Sequence, residues 1–175
     1  MKEVIRITKE DVIRRIQADV SVIPDRLPSV IEALEATDVK FNTTLPTNEL
    51  GCMIDTEPFQ IILYKERIEQ VVLHDWAGEG WRDNPIEFTK LRDIPARAVA
   101  LSISTMYHEF RHVYSAIFER FQGKPWYETY LEKSQDGYEN NIYEKMATKF
   151  QKLCWPTCQK FITPMGTLAC KIEWP

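Results

Sequence analysis

The chain has no excess of basic charge and no long apolar run. Its 22 Lys and Arg are scattered among 26 Asp and Glu, and the net charge is −4, so the sequence contains no basic stripe. We therefore expect neither nucleic acid nor an anionic membrane to be its main partner. No apolar run approaches membrane-spanning length, and residues 1–6 become charged too early for a signal peptide. A soluble, cytoplasmic protein is the expectation.

Cysteine is also scarce, with four residues at positions 52, 154, 158 and 170. Without a secretory signal, reduced thiols are expected rather than two disulfides. Cys154 and Cys158 are one helical turn apart, but Pro156 lies between them. A structural zinc site would also need Cys170 and the distant Cys52 to supply four ligands. The sequence favours ordinary buried thiols over such a second zinc site.

Length and composition predict a single globular domain. The 175 residues are 44% hydrophobic and 11% aromatic, which is enough to bury one sizeable core. The sequence contains no repeats and no low-complexity tracts. We expect one domain that covers residues 1–175, and the sequence makes no prediction of an oligomeric state.

Two of the three histidines lie four residues apart, in the HExxH motif His108-Glu109-Phe110-Arg111-His112. On an α-helix, residues four apart lie one above the other on the same face, so both imidazoles can bind one Zn²⁺ ion. Glu109, next to His108, can then act as a general base towards a water molecule at the metal. The alternative is a solvated polar face of a helix that carries two histidines by coincidence.

The sequence around the motif has the periodicity of a long helix. At about 100° per residue, apolar side chains at alternating spacings of four and three fall on one stripe. This predicted core stripe comprises Val99, Ile103, Met106, Phe110, Val113, Ile117 and Phe121. His108 and His112 lie opposite the stripe, so they face either a cleft or solvent rather than the core. Asp93 can cap the start of the helix, and Gly123 can end it.

Shorter elements are predicted elsewhere in the chain. Strands are predicted at 4–7, at 39–41 within a loop over 37–56, at 59–64, where β-branched and aromatic residues are dense, and at 168–172. Apolar periodicity predicts helices from Thr8, over 28–36 and over 138–154, and it leaves 66–74 open between helix and strand. The predicted core stripe of the last helix is Ile142, Met146, Phe150 and Leu153. Irregular connections are expected at 76–90 and 124–135.

A catalytic zinc needs a third protein ligand, and the sequence offers no histidine after His112. A downstream carboxylate is therefore expected. Glu119 lies on the histidine face but about 10 Å further along the same helix axis, which is too far to complete the site. On the predicted helix over 138–154, Glu139 and Glu144 are both candidates. The helical wheel favours Glu144, because it places this residue away from the predicted core stripe.

The HExxH motif resembles a known family pattern when it is taken together with a second segment. It is followed by an ExxAxxF sequence, Glu144-Lys145-Met146-Ala147-Thr148-Lys149-Phe150. Pro156 follows soon after, and Gln151 stands where a small residue is usual. The combination is similar to the minimal gluzincin pattern of the ImmA/IrrE-like metallopeptidases, and the resemblance covers residues 108–156.

The resemblance implies a zincin-like α+β fold, mainly helical, with a small sheet whose edge strand lies beside the HExxH helix. It implies that His108, His112 and Glu144 bind Zn²⁺ and that Glu109 activates water for hydrolysis of a peptide or protein substrate. The strand over 59–64 would be the edge strand along which an extended peptide lies.

Two questions stay open at the level of the sequence. The rival function is that of a non-proteolytic protein that keeps the zincin scaffold for binding or regulation. Glu109 favours the enzyme, because zinc ligation alone does not require this residue. The second question is which side chain stabilises the oxyanion that develops on the substrate. The candidates are Tyr143, Tyr138, Arg111 and His74, the last of which is a lone histidine of the kind that is more often structural.

Overall fold

The computed structural model of the chain describes residues 4–6, 28–42, 49–74, 94–162 and 171–173. Its helices, in chain order, are α1 (Pro28–Ala36), α2 (Lys65–His74), α3 (Ile94–Phe121), α4 (Trp126–Lys133) and α5 (Ile142–Ile162). Its strands are β1 (Val4–Arg6), β2 (Asp38–Asn42), β3 (Gly51–Ile54), β4 (Gln60–Tyr64) and β5 (Lys171–Glu173). The described part of the chain is α+β and mostly helical.

A small mixed sheet has the strand order β2-β4-β3. Strand β2 runs parallel to β4, and β3 runs antiparallel to it. The side chains of Ile61 and Leu63, two residues apart on β4, are fully buried on the same face of the sheet. The prediction that 59–64 forms an edge strand is therefore wrong, because β4 has a hydrogen-bonded neighbour on each side.

Strand β3 is the edge strand that lies beside the HExxH helix α3. The loop predicted over 37–56 missed it, because glycine is a weak strand former and β3 begins with Gly51. A Cβ atom at this position would lie 2.9 Å from the carbonyl oxygen of Ile62 and 3.0 Å from the side chain of Thr105 on α3. Glycine therefore allows the close approach of strand and helix.

Helix α3 confirms the predicted long helix around the motif. Most of its predicted core stripe is buried, namely Ile103, Met106, Phe110, Val113 and Ile117. The stripe ends earlier than expected, since Phe121 is 69% exposed. The opposite, polar side of the helix is buried too, including Ser104, His112, Ser115 and Glu119, because α5 packs along it. The sequence leaves either a cleft or solvent as the environment of the two histidines, and this burial excludes solvent.

Helix α5 differs from its prediction in both its ends and its orientation. It begins at Ile142, after a 3-10 turn over Tyr138–Asn140, and continues through Pro156 to Ile162. A proline removes one helical hydrogen bond at a cost of about 3 kcal/mol, but the other hydrogen bonds of the helix remain.

The predicted core stripe of α5 is wrong at three of its four positions. Ile142, Met146 and Leu153 are 44%, 41% and 55% exposed, and only Phe150 is buried. The buried face instead comprises Tyr143, Glu144, Ala147, Phe150, Gln151 and Cys154. The helical wheel assumed that the most apolar stripe faces the core, whereas α5 packs on the polar side of α3 and presents a mixed polar face to it.

Helix α4 replaces part of the irregular connection expected over 124–135. Pro125 occupies its N-cap in an extended conformation, Glu128 lies in its first turn and Lys133 in its last. Both charges are favourably placed with respect to the helix dipole. Trp126 is buried and anchors the helix, so the aromatic residues of this segment belong to a regular element.

The remaining predictions have mixed outcomes. Helix α1 matches the predicted range, strands β1, β2 and β5 overlap theirs, and α2 resolves the open assignment of 66–74 in favour of a helix. Strands β1 and β5 pair in parallel. Cys154 is buried and Cys52 half-buried, and neither forms a disulfide bond within the described residues. The side chains of Cys158 and Cys170 lie outside the described part of the chain. The helix expected from Thr8 and the connection over 76–90 lie outside the described residues.

Candidate metal centre

Three predicted ligands converge where α5 packs on α3. The Nε2 atom of His108 lies 3.1 Å from Nε2 of His112 and 3.1 Å from Oε2 of Glu144. The Nε2 atom of His112 lies 3.3 Å from Oε1 of Glu144. We call these three residues the ligand triad. Among the described His, Cys, Asp and Glu side chains, they form the only group of three or more that can hold a metal ion.

The donor set of the triad suits a cation. Two imidazole nitrogens and a carboxylate at these distances must share protons between them when no metal is bound, because lone pairs that face one another repel. A single divalent ion would satisfy all three donors at once. Binding would also displace protons, since imidazole binds a metal only when its ligating nitrogen is deprotonated.

The directions in which the pKa values of His108 and Glu144 move agree with this proton sharing. Burial alone would lower the pKa of His108, but its hydrogen bond to the Glu144 carboxylate and the negative charge of Glu109 raise it above its ordinary value. Burial would raise the pKa of Glu144, but hydrogen bonds with His108 and His112 outweigh it and hold this pKa far below its usual range. The triad thus resembles an imidazolium–carboxylate cluster whose protons a metal would replace.

Aromatic rings enclose one side of the triad. The ring of His112 lies 5.9 Å from Trp126 and 6.1 Å from Tyr130, both on α4. The side chains of His112 and Glu144 are 7% and 6% exposed, whereas that of His108 is 14% exposed. The site is therefore largely shielded from water and is most open at His108.

Hydrogen bonds from neighbouring side chains orient two of the three ligands. The hydroxyl group of Tyr130 donates to Oε1 of Glu144 at 2.5 Å. Gln151 donates through Nε2 to the hydroxyl oxygen of Ser104 at 2.7 Å, and its hydrogen bond with His108 contributes to the raised pKa of that histidine. Such partners fix the orientation of metal ligands and raise their affinity for the metal.

Asn141 determines how α4 and α5 meet at the site. It is fully buried, and its Oδ1 accepts a hydrogen bond from the backbone N–H of Tyr143, so it is the N-cap of α5. Its Nδ2 donates to the hydroxyl of Ser134 at 2.7 Å and to the backbone carbonyl of Tyr130 at 3.3 Å. Asn141 therefore positions both helix α5, which carries Glu144, and Tyr130, which donates a hydrogen bond to Glu144.

Glu109 lies on the side of the triad that faces the sheet. It is 6% exposed, and burial raises its pKa, although the nearby His108 and His112 oppose this effect. Its negative charge also contributes to the raised pKa values of Cys52 and Tyr64, for which burial is the main cause. A buried carboxylate with a raised pKa is a stronger proton acceptor than one in water.

The structure separates the four residues that were considered for oxyanion stabilisation. The hydroxyl of Tyr143 donates to Glu119 at 2.8 Å, and Arg111 donates to Ser115 and to the sulfur of Met146. Burial and the negative charge of Glu144 raise the pKa of the Tyr138 hydroxyl group, so this group lies close to the triad, although the residue as a whole is 60% exposed. The side chain of His74 lies outside the described residues.

Of the candidates for the third ligand, Glu144 belongs to the triad. Glu139 is exposed, and it lies on the 3-10 turn before α5, outside the triad. Sequence patterns do not identify Tyr130, Asn141 or Gln151 as parts of the site. Asn141 carries a local signal, since Asn is a preferred N-cap residue. Tyr130 and Gln151 carry none, because their partners are distant in sequence.

Comparisons with protein-family models, with curated proteins and with solved structures find no match to this chain. Among the described residues, no helix is both long and apolar enough to cross a membrane.

Proposed function

We propose that the protein is a zinc-dependent peptidase of the gluzincin type with a zincin-like fold, in which the ligand triad holds Zn²⁺ and Glu109 is the general base. The observation that carries the proposal is the spacing of the triad. Zinc binds His nitrogen and carboxylate oxygen at about 2.0–2.2 Å, so tetrahedral ligand atoms lie about 3.3 Å apart. The distance of 3.1 Å between the two histidine Nε2 atoms is close to this value, as are the distances of 3.1 Å from His108 to Oε2 and of 3.3 Å from His112 to Oε1 of Glu144.

Glu109 supplies the acid–base chemistry in this proposal. When bound, zinc acts as a Lewis acid that favours the attack of water on a peptide carbonyl group. Glu109 takes the proton from the attacking water and transfers it to the departing amine. Its raised pKa suits both steps, because the carboxyl group must accept a proton and later release it.

Strand β3 and Tyr138 are the proposed contacts to the substrate. β3 pairs with β4 on one side and is an edge strand among the described residues. An extended peptide can add to such an edge through main-chain hydrogen bonds. In this proposal Tyr138, which is exposed and whose hydroxyl group lies close to Glu144, donates a hydrogen bond to the substrate carbonyl oxygen as negative charge develops on it.

The position of Glu109 also favours an enzyme over a binding or regulatory protein that keeps a metal for stability alone. Burying a carboxylate is costly, and a site that only ligates a metal has no need of it. Glu109 is nevertheless buried beside the triad without belonging to it. A role as the general base explains why Glu109 is buried despite this cost.

The first test is metal content followed by hydrolysis. We expect the purified protein, reconstituted with Zn²⁺, to contain about one zinc per chain by elemental analysis, because one three-ligand site is present. A peptide-library screen should then detect cleavage that a chelator abolishes and added zinc restores. Absence of bound zinc after reconstitution of the folded protein would contradict the proposal. Bound zinc without cleavage of any library member would favour the binding or regulatory protein.

Replacing Tyr130 by Phe should weaken zinc binding by about 10-fold to 100-fold, because it removes only the hydroxyl that orients Glu144. The affinity can be measured by competition with a chromophoric chelator. Tyr127→Phe is the matched control, since it removes the same hydroxyl from the same helix at a residue that is 66% exposed. Equal affinities of the two variants would show that Tyr130 does not support the ligand.

A further inference from the structure

The outer face of α5 carries an exposed apolar stripe. It consists of Ile142, Met146 and Leu153, which are the residues predicted from the sequence to face the core. At about 100° per residue these three positions fall within about 40° of one another. From the first to the last of them the stripe is about 16 Å long, at about 1.5 Å per residue.

Cationic side chains flank this stripe on both sides. Lys145, Lys149 and Lys152 are exposed and lie along one side of it by the helical period. On the other side, Nη2 of Arg111 lies 3.4 Å from the sulfur of Met146. No ion pair to these three lysines is found within the described part of the chain.

Arg111 is held in place by α3. Its Nη1 donates to the hydroxyl of Ser115 at 2.8 Å, and its guanidinium group lies 4.5 Å from the ring centroid of Tyr114.

The outer face of α5 carries no negative charge. The only acidic residue between positions 142 and 162 is Glu144, which is buried in the ligand triad. An apolar stripe between cationic borders is therefore exposed on a protein whose net charge is −4.

We propose that this surface, the α5 outer face, docks an acidic amphipathic helix of a protein partner. It comprises Arg111, Ile142, Lys145, Met146, Lys149, Lys152 and Leu153. The apolar side chains of the incoming helix pack on the stripe, and its flanking carboxylates pair with the cations on either side. We identify this partner with the protein substrate. That identification rests on the proposed peptidase function, whereas the docking itself does not.

The chemistry of the surface disfavours the other occupants. A second copy of the chain would bring like charges together across a two-fold axis. A strip about 16 Å long and about 10 Å wide covers roughly 160 Å², far below the roughly 800 Å² that each subunit buries in a stable dimer, so it suits a weak, transient partner rather than a second copy. An anionic membrane or a nucleic-acid duplex carries negative charge over a wide surface. It would be repelled by the exposed acids of the segment before α5, namely Glu128, Glu132, Asp136 and Glu139. A single narrow helix avoids them.

The docking is tested with the full-length protein and a fluorescein-labelled peptide of about fifteen residues. The probe has leucines at i, i+4 spacing flanked by glutamates, and a peptide of the same composition in scrambled order is its control. Fluorescence anisotropy should show saturable binding of the probe that weakens as NaCl is raised, because salt screens the charge pairs. Absence of saturable binding, or equal binding of the scrambled peptide, overturns the proposal.

Charge-reversal variants locate the binding surface. Lys145→Glu combined with Lys149→Glu should weaken binding of the probe at least about tenfold, because attraction becomes repulsion. The matched control combines Lys124→Glu with Lys133→Glu, which are also exposed and change the net charge equally. Similar losses in both double variants would mean that binding follows net charge rather than this surface, and the proposal would be wrong.

The apolar stripe has its own control pair. Leu153→Ser should weaken binding of the probe several-fold, whereas Leu131→Ser, at a residue of α4 that is 48% exposed, should not. Tighter binding to vesicles of phosphatidylcholine and phosphatidylserine, or to duplex DNA, than to the peptide would contradict the proposed partner. Zinc content is measured in parallel. Binding of the probe by a protein without zinc would reject the peptidase but retain the docking surface.

Discussion

Glu109→Gln should retain about one zinc per chain and hydrolyse peptides about 10²-fold to 10⁴-fold more slowly than the wild-type protein. The amide has nearly the shape of the carboxylate but cannot accept the proton of the attacking water. Glu109 is not a member of the ligand triad, so metal binding does not depend on it. The effect should therefore appear in kcat with little change in KM, and elemental analysis should give the wild-type zinc content.

Glu119→Gln provides the matched control for this variant. Glu119 is likewise a buried carboxylate on the polar side of α3, but its Oε1 accepts a hydrogen bond from Tyr143 instead of lying at the triad. A glutamine can accept the same hydrogen bond through its amide oxygen. Hydrolysis by this variant should stay within a few-fold of wild type. Wild-type activity of Glu109→Gln would show that the residue is not the base.

Glu144→Ala should abolish stoichiometric zinc binding at micromolar metal, because it removes one of three protein ligands. The loss of affinity should exceed the roughly 10-fold to 100-fold effect of removing an orienting partner. Zinc should also no longer raise the melting temperature of the variant, since a ligand stabilises the folded state only to the extent that it binds. Isothermal titration and a thermal melt with and without zinc measure the two effects.

Glu139→Ala is the comparison that decides between the two glutamates. Glu139 is exposed on the turn before α5 and is no part of the triad, so its removal should leave zinc affinity unchanged. The opposite result, with zinc lost in Glu139→Ala and retained in Glu144→Ala, would refute the placement of the third ligand.

The structure overturns one reason for preferring Glu144 as the third ligand. The helical wheel favoured this residue because it falls away from the stripe of Ile142 and Met146, which was expected to face the core. In the structure that stripe is exposed, and Glu144 lies on the buried face. The helical wheel separates the two faces of α5 correctly but reverses their environments, because the face that packs on the polar side of α3 carries polar side chains such as Glu144 and Gln151.

The sequence by itself determined helix α3 and the pair His108 and His112 on its polar side. A helix of this length depends on hydrogen bonds and periodic packing that are local in the chain, so its period is visible in the residues. The same holds for α1, which begins at Pro28, and for β4, whose β-branched and aromatic residues predict a strand.

Tertiary structure alone decided the parts that join distant segments. The central place of β4 in the sheet depends on its pairing with β2 and β3, and the position of β3 depends on a contact between Gly51 and α3. Tyr130 and Gln151 reach the ligand triad only because α4 and α5 pack around α3. Such contacts depend on which surfaces meet, and local sequence carries no record of a partner that lies far away in the chain.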